Sequence, residues 1–447
     1  MIHRLTIIAS LLFACLASFG ETREADTIHA ETFIDGAEVS IQLQGGLSTN
    51  TFSPLWINSN RYGAVSPYGN FANERVAIIR DVASDSLRQW RWGYGLDLQL
   101  SQNAVSKFFV QQAFVELKWK KLQLTLGSKE RKLDLRNNSL TLGSMTQGIN
   151  ARPNPMAMLE TDYLPFPGTN RWLSFRGRTG YGLILDGDWQ EKWVDKTNYI
   201  YTGNRRINEN AVYMKIGKET RFPMVFELGV QAISLFENSN HNTIGSINSA
   251  LTFDLGTWLI RGYFDHYLEN MSNFFKWHGL KDHLFGLQVE FPKNRVIKSF
   301  LVEHFGTNGQ FDSDSFYNDP DGLGWHSWGV SMGNPLLLSP IYVINNGEHN
   351  LFFYDNIVTA WHLAAAGQPT DEIDWLLKYS FSKNYGERTM PFDDSHHHTY
   401  FVAECGYAPQ WLPGWSGRVA LGVDHAKKYY GNCFGAMLTI RRSFKLR

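Results

Sequence analysis

The chain alternates apolar and polar side chains over many segments of about ten residues. Between residues 90 and 100 the even positions carry large apolar or aromatic side chains, and the odd positions carry Arg, Gly, Asp or Gln. Successive side chains of a strand point to opposite faces, so this segment predicts a strand with one apolar face. The same alternation recurs along most of the chain, at residues 39–43, 115–126, 226–230, 285–291, 375–381, 419–423 and 434–440.

Strands of this length with a polar second face are typical of outer-membrane barrels, whereas the strands of a soluble β-sandwich, the alternative fold, are usually shorter. Aromatic residues make up 14% of the chain, and barrels place such residues at both membrane interfaces. After the N-terminus, no apolar run reaches the roughly 18 residues that a spanning helix needs. Because lipid admits only helices and closed barrels, the pattern predicts an all-β, transmembrane antiparallel β-barrel.

Residues 1–20 have the form of a signal peptide. His3 and Arg4 precede an apolar run, and small residues at Ser18 and Gly20 frame a cleavage site before Glu21. We therefore expect Sec-type export, insertion by the barrel-assembly machinery and a location in the outer membrane of a Gram-negative bacterium, in contact with its lipid. Residues 21–447 then form a single barrel domain, and this length accommodates about 16–18 strands.

Residues 51–85 interrupt the alternation. Residues 53–56 and 73–80 look like short helical pieces, because Ser then Pro opens the first and Asn opens the second. We expect this helical insertion to form a small plug or a periplasmic cap. Longer connections are expected at residues 143–170, 306–324, 339–350 and 383–396.

The two cysteines that follow the signal peptide are expected to be free thiols. Cys405 shares the apolar face of its strand, whereas Cys433 has the opposite parity, and a predicted strand at residues 416–425 separates the two. A disulfide needs Cα atoms within about 7 Å of each other, which this arrangement does not provide.

The net charge and the candidate reactive residues argue against nucleic-acid binding, metal binding and catalysis. A net charge of −1 argues against a nucleic-acid partner, which needs a basic field. His396 and His398 would share a strand face and could bind a metal, but a solvated loop is the simpler setting, so we predict neither metal nor other cofactor. No spacing of Ser, His and Asn fixes a catalytic constellation, and we therefore expect no enzyme.

Four stretches of the sequence resemble the Wzi capsule-assembly family. The first covers residues 143–185, and its most specific part is Asn-Ala-Arg-Pro-Asn-Pro at residues 150–155. The others lie at residues 53–63, 127–131 and 316–336. The resemblance implies an outer-membrane barrel of about 18 strands with a small helical bundle. It also implies a surface lectin that helps to attach or assemble capsular polysaccharide.

A lectin of this kind needs aromatic rings to stack on sugars and planar cations to bind hydroxyl groups or uronic carboxylates. Five residues in and after the most family-like stretch could supply both: Arg152, Arg171, Trp172, Arg176 and Arg178. We hypothesise that some of them line a polar groove for an acidic glycan, with capsular or other surface polysaccharide as the partner. The alternative, which the polar interior of a barrel favours, is that these arginines pair with lumenal carboxylates.

A porin-type diffusion channel or transporter for small solutes is the second candidate function, because it shares every argument for a barrel. A long loop folded into the lumen would constrict a porin, whereas a plug formed by residues 51–85 with no continuous pore would favour the lectin.

Overall fold

The computed structural model describes residues 33–446, except for residues 86–88, 195–203, 219–222, 238–239, 269–281, 310–316, 319–323, 346–347, 350, 389 and 427–430. Within this range, Gly36–Leu446 forms one compact unit. The signal peptide expected at residues 1–20 lies outside the described residues. In the part of the chain that is described, no helix is long and apolar enough to cross a membrane.

The described ranges contain eighteen strands in one closed antiparallel sheet, in which each strand pairs with its neighbours in the chain and β1 pairs with β18. They are β1 (Glu38–Ser48), β2 (Phe71–Arg80), β3 (Trp90–Gln102), β4 (Phe108–Trp119), β5 (Leu122–Ser128), β6 (Met156–Thr161, continued by Leu164–Pro165), β7 (Leu173–Ile184), β8 (Arg205–Ile216), β9 (Met224–Glu237), β10 (Asn240–Asp254), β11 (Leu259–Leu268), β12 (Asp282–Glu290), β13 (Ser299–Thr307), β14 (Val358–Gly367), β15 (Ile373–Gly386), β16 (Pro391–Tyr407), β17 (Trp415–His425) and β18 (Cys433–Lys445). The predicted transmembrane barrel fold and its strand number are therefore confirmed.

Short elements occupy the connections. Two α-helices, α1 (Leu55–Asn58) and α2 (Gly187–Trp193), follow β1 and β7, and 3₁₀ turns lie at Val82–Asp85 and Pro340–Tyr342. Two-residue strands form small hairpins between His326–Ser327 and Val330–Ser331 and between Ile344–Asn345 and Glu348–His349. All these pieces are too short to bury an apolar face alone, so they depend on the barrel around them.

The register of β1 closes the barrel. Glu38 lies opposite Ile79 of β2 on one side and opposite Lys445 of β18 on the other, so every strand edge is paired. The expected tight hairpin between β4 and β5 is present, with Trp119 opposite Leu122. Closure removes the unpaired backbone groups that a sheet edge would expose to lipid.

The apolar faces of the strands point outward. On β3, Leu96 is 45% exposed whereas the neighbouring Asp97 is 0% exposed, which is the alternation that the sequence predicts for a lipid-facing strand. The same contrast separates Leu421 from Ala420 on β17. Lipid therefore replaces a protein core on the outside, and the buried residues lie in the lumen.

The two ends of the barrel differ in the length of their connections. The turns at the end that holds Glu38 and Lys445 are short, whereas the long connections, including residues 129–155 and 308–357, lie at the opposite end. Short turns face the periplasm in outer-membrane barrels. We call these the inner end and the outer end.

Three expectations for irregular segments are wrong. Residues 143–170 are a long connection only as far as Pro155, because β6 occupies Met156–Thr161 and Leu164–Pro165. Residues 73–80 lie in strand β2 rather than a helix. Arg75 points into the lumen and binds Asp97. The consecutive apolar residues Ile78 and Ile79 hide the alternation of this strand in the sequence. Residues 383–396 are not a long connection, since β15 reaches Gly386 and β16 begins at Pro391. The three histidines at 396–398 therefore lie on a strand and not in a solvated loop.

The cysteine prediction is confirmed. Cys405 is exposed on β16, Cys433 is buried on β18, and both are free thiols separated by β17. Cys433 Sγ lies 3.2 Å from the carbonyl oxygen of Phe52, inside the barrel.

Candidate functional site

Three long outer connections fold into the lumen and form what we call the plug. They are residues 49–70 between β1 and β2, residues 129–155 between β5 and β6, and the described part of residues 308–357 between β13 and β14. Their apolar side chains form much of the buried core, including Trp56, Leu140, Leu142, Met145, Trp325 and Leu337. The lumen is therefore packed like a protein interior in this region.

Asn150 joins the three connections. The backbone N–H of Asn60 donates to Asn150 Oδ1 at 3.0 Å, and Asn150 Nδ2 donates to the carbonyl of Ser331 at 3.1 Å. Asn150 is 3% exposed, so both bonds are shielded from water. We call this contact the asparagine lock. The Tyr342 hydroxyl adds a second link by donating to Asn58 Oδ1 at 2.9 Å.

A tight turn positions the first connection in the lock. Asn60, Tyr62 and Gly63 have φ values of 56°, 55° and 63°, in the left-handed region that Asn and Gly adopt most readily. A Cβ atom at Gly63 would lie 2.8 Å from Arg152 Cγ, so only glycine allows the turn to approach Arg152 this closely. The turn therefore fixes one side of the Arg152 environment.

A chain of hydrogen bonds ties the plug to the barrel wall. Trp56 Nε1 donates to Ser380 Oγ at 3.0 Å, and Ser380 Oγ lies 2.7 Å from His362 Nδ1. His362 Nε2 lies 2.8 Å from the carbonyl oxygen of Leu140, which can only accept. Nε2 therefore carries the proton, Nδ1 accepts from the serine, and two plug connections are joined through β14 and β15.

Glu303 on β13 provides another anchor. Its carboxylate accepts from Thr141 Oγ1 and from the backbone N–H of Leu142, each at 2.6 Å, and from the Tyr263 hydroxyl. The group is 0% exposed, and several donors are needed to stabilise such a buried carboxylate. The second connection is thereby held against the wall.

Two of the predicted glycan-binding arginines are neutralised on the wall. Arg176 Nη2 lies 2.7 Å from Asp134 Oδ1, Arg178 Nη1 lies 2.5 Å from Asp134 Oδ2, and Arg178 Nε lies 2.6 Å from Glu209 Oε1. Burial alone would raise the pKa of Asp134, but the two guanidinium groups outweigh it and hold that pKa below its usual value. This is the pairing with lumenal carboxylates that the alternative interpretation expected.

Arg171 and Trp172 lie elsewhere. They belong to the turn between β6 and β7 at the inner end, where both are exposed and Trp172 is 38% exposed. The structure therefore does not bring these two residues together with Arg152 in the plug.

Arg152 is the predicted site residue in the plug that has no carboxylate partner. Its guanidinium carbon lies 3.6 Å from the centroid of the Phe109 ring and 4.9 Å from that of Trp328, and Nη1 donates to Ser106 Oγ at 3.3 Å. Among the described residues, no carboxylate forms an ion pair with it. Burial without an anionic partner lowers the pKa of Arg152 to about 9. An anion that entered this position would restore the stability of the charged form.

Arg152 separates two cavities. The outer one adjoins the β3–β4 turn and is lined by Val105, Phe109, Ser327 and Trp328. The inner one, which we call the basic chamber, has six cationic side chains and two carboxylates in its lining: Lys129, Arg131, Lys132, Arg136, Arg152, Arg178, Asp134 and Glu209. Ion pairs engage four of these cations, because Lys129 pairs with Glu116, Arg136 with Asp265, Arg131 with Glu209 and Arg178 with Asp134. Among the described residues, Lys132 and Arg152 have no carboxylate partner, and these two charges suit an anionic ligand.

Sequence reasoning missed several lining residues. The basic run at residues 129–132 was a usable signal, because three of its four residues are Lys or Arg. Phe109 and Trp328 carried no such signal. Phe109 lies beside the register shift of β3 and β4, and Trp328 has a φ of 56° in a small hairpin of the plug.

Comparisons with known proteins place the fold. No protein-family model matches the chain, and no curated protein matches its sequence. Wzi of Escherichia coli, described as a carbohydrate-binding outer-membrane β-barrel involved in Group 1 capsule assembly, superposes with a TM-score of 0.61 at 13% identity, covering 91% of this chain and 85% of Wzi. The chain has the fold of Wzi.

Other solved barrels are similar at lower scores. Pseudomonas aeruginosa OccK2, solved in complex with glucuronate, has a TM-score of 0.51 at 8% identity, with 92% of this chain and 98% of OccK2 covered. Acinetobacter baumannii OccAB4 has a TM-score of 0.50 at 11% identity, with 93% and 99% covered. At such identities the similarity establishes the outer-membrane barrel fold alone.

Three of the Wzi-like sequence stretches meet in the plug. Asn60, Asn150 and Ser331 come from three of them and form the asparagine lock. Parts of the sequence resemblance thus lie in the plug, which is the part of the fold that occupies the lumen.

Proposed function

We propose that this protein is a non-catalytic, closed outer-membrane barrel that binds an acidic surface polysaccharide and helps to hold or assemble a capsule. The observation that carries the proposal is Arg152, an uncompensated guanidinium flanked by Phe109 and Trp328 in a plugged lumen. Export through the signal peptide and insertion by the barrel-assembly machinery are part of the same proposal.

The plug supports binding over free diffusion. Fully buried side chains of three connections fill the lumen, and the asparagine lock and Glu303 hold them in place. A wide aqueous pore needs a lumen that side chains leave open. A binding protein instead benefits from a rigid support for its polar groups, since little ordering is then lost when the ligand binds.

The chemistry of the pocket supports an acidic sugar. A guanidinium binds a carboxylate through two parallel N–H groups, and aromatic rings stack on apolar sugar faces. The basic chamber next to Arg152 adds Lys132, which is exposed and forms no ion pair among the described residues. Wzi is described as carbohydrate-binding and OccK2 was solved with glucuronate, so the class of ligand agrees with both neighbours.

The test compares Arg152→Gln with Arg171→Gln. The control removes the same charge from the inner turn, away from the plug. We expect Arg152→Gln to weaken binding of uronate-containing capsular polysaccharide by about tenfold or more, as loss of a hydrogen-bonded charge pair predicts. Capsule retention on cells should fall in parallel, and Arg171→Gln should match the wild type.

Equal affinities of the two variants, with both barrels shown to be folded by their heat-dependent gel mobility, would contradict the site. Wild-type affinity that does not distinguish uronate-containing from neutral polysaccharide would contradict the acidic ligand.

A restricted channel for small anionic solutes is the second candidate. It is favoured by the similarity to the Occ porins and by two cavities of about 540 and 490 Å³ on the inner side of the plug, which contain Lys298 and Lys215 in their linings. Planar-bilayer recordings separate the candidates. Steady ohmic conductance of the wild-type protein would support the channel and contradict the closed barrel.

A further inference from the structure

A cavity of about 540 Å³ lies between the plug and the inner turns that join β12 to β13 and β14 to β15. Because these turns lie at the inner end of the barrel, the cavity faces the periplasm. We call it the inner chamber. Its lining combines side chains of the plug, the wall and the turns, among them Arg61, Asn138, Lys298, Gln368, Lys378 and Glu404.

A buried lysine without an anionic partner lines the inner chamber. Lys378 of β15 is 6% exposed. Its Nζ lies 4.8 Å from the centroid of the Trp56 ring, which a hydrogen bond to Ser380 holds in place. Among the described residues, this ammonium group forms neither an ion pair nor a hydrogen bond. Burial of an unpaired charge is costly, so the position suits a site that an anion occupies.

Arginines already hold the two carboxylates of the inner chamber. Glu404 pairs with Arg61 of the plug, and its second oxygen lies 3.4 Å from Arg418 Nη1. Asp374 pairs with the same Arg418. Neither carboxylate lies within ion-pair distance of Lys378. Two arginines therefore balance two carboxylates, and the charge of Lys378 is in excess.

Other lining groups suit a ligand that also carries hydroxyl groups. On the turn side, Lys298 Nζ donates to the amide oxygen of Gln368 at 2.5 Å, which is a neutral partner. On the plug side, Asn138 Oδ1 accepts from the backbone N–H of Leu133 at 2.9 Å, which leaves the Asn138 Nδ2 group as a donor. Two excess cations and a neutral amide therefore face the same space.

We propose that the inner chamber is a second binding site, open to the periplasm, for an acidic mono- or disaccharide whose carboxylate pairs with Lys378. The chamber is larger than a simple inorganic anion needs, and its volume falls within the range of small-molecule sites. Arg152 does not line this chamber, so the proposal does not rest on glycan binding at Arg152. It adds a saccharide that arrives from the periplasm to one that arrives from the cell surface.

The experiment measures binding of digalacturonate and of its neutral dimethyl ester to the purified full-length barrel in detergent, by isothermal titration calorimetry. Every protein carries Arg152→Gln, so that the outer site does not contribute, and this variant is the parent. Lys378→Met keeps the length of the side chain and removes its charge. The control, Lys293→Met, removes the same charge from an exposed inner turn outside the chamber lining. We expect Lys378→Met to bind digalacturonate about tenfold more weakly than the parent, and the control to match the parent.

The unfolding temperature, followed by heat-dependent gel mobility, separates binding from a structural role. Without ligand, Lys378→Met should unfold at or above the temperature of the parent, because it replaces an unpaired buried charge with an apolar group. Digalacturonate should raise the unfolding temperature of the parent, and the ester should not. Equal affinities of the two lysine variants, equal binding of acid and ester, or no binding by the parent would overturn the proposal. So would weaker binding by Lys378→Met together with a lowered unfolding temperature, since the lysine would then support the fold.

Discussion

The asparagine lock gives the sharpest prediction about the plug. Replacing Asn150 by alanine leaves the N–H of Asn60 and the carbonyl of Ser331 without partners, in a place where Asn150 itself is 3% exposed. An unpaired buried polar group costs about 1–3 kcal/mol, so we expect the closed plug to lose about 3 kcal/mol relative to open arrangements. Since 1.4 kcal/mol is a factor of ten, the open population should rise about 100-fold.

Single-channel recording in planar bilayers measures this population directly. The wild-type barrel should open only rarely, and Asn150→Ala should show brief openings at about 100 times that frequency. Asn137→Ala is the matched control, because Asn137 Oδ1 accepts only local bonds, from Ser139 N at 3.0 Å and Ser139 Oγ at 2.7 Å, within one connection. Recordings in which both variants are equally silent would refute the role of the lock, and a freely conducting wild type would refute the closed plug.

Two further predictions concern acid and packing. The folded-state pKa of Asp134 is lowered, so its stabilisation of the plug is fully present above its unfolded pKa of about 4 and is lost as pH falls through the lower folded value. Acid should therefore increase plug opening in the wild type, while Asp134→Asn should open more at neutral pH and respond less to acid, as bilayer recordings can check. Gly333→Ala places a Cβ atom 1.9 Å from the Tyr317 hydroxyl and should lower the unfolding free energy by about 1–3 kcal/mol. Gly262→Ala, whose Cβ meets nothing within 4 Å, should unfold at the wild-type denaturant concentration, and equal values for both glycine variants would refute the packing argument.

The alternation of apolar and polar residues predicted which strand side chains face the lipid and which face the lumen. The alternation of Leu96 and Asp97 on β3 needed only the period of two and the apolar character of the bilayer. The opposite facing of Cys405 and Cys433 followed from the same rule. β2 escaped detection because Arg75 faces the lumen and finds Asp97 there, and the sequence pattern does not reveal a partner on another strand.

The site depended on contacts that are distant along the chain. Arg152, Arg171, Arg176 and Arg178 are equivalent as sequence features, yet Asp134 neutralises the last two and the turn at the inner end removes Arg171. Arg152 lies between Phe109 and Trp328 without a carboxylate partner only because the connections at residues 129–155 and 308–357 pack together in the lumen.

The sequence by itself therefore determined a closed barrel of about 16–18 strands, because strands with alternating apolar and polar side chains can span lipid only when their sheet closes. The tertiary structure decided that the lumen is plugged and which cation remains uncompensated. Hydrogen bonds such as those of Asn150 join residues whose proximity no local propensity encodes, and charge compensation depends on distances that exist only after the connections have folded inward.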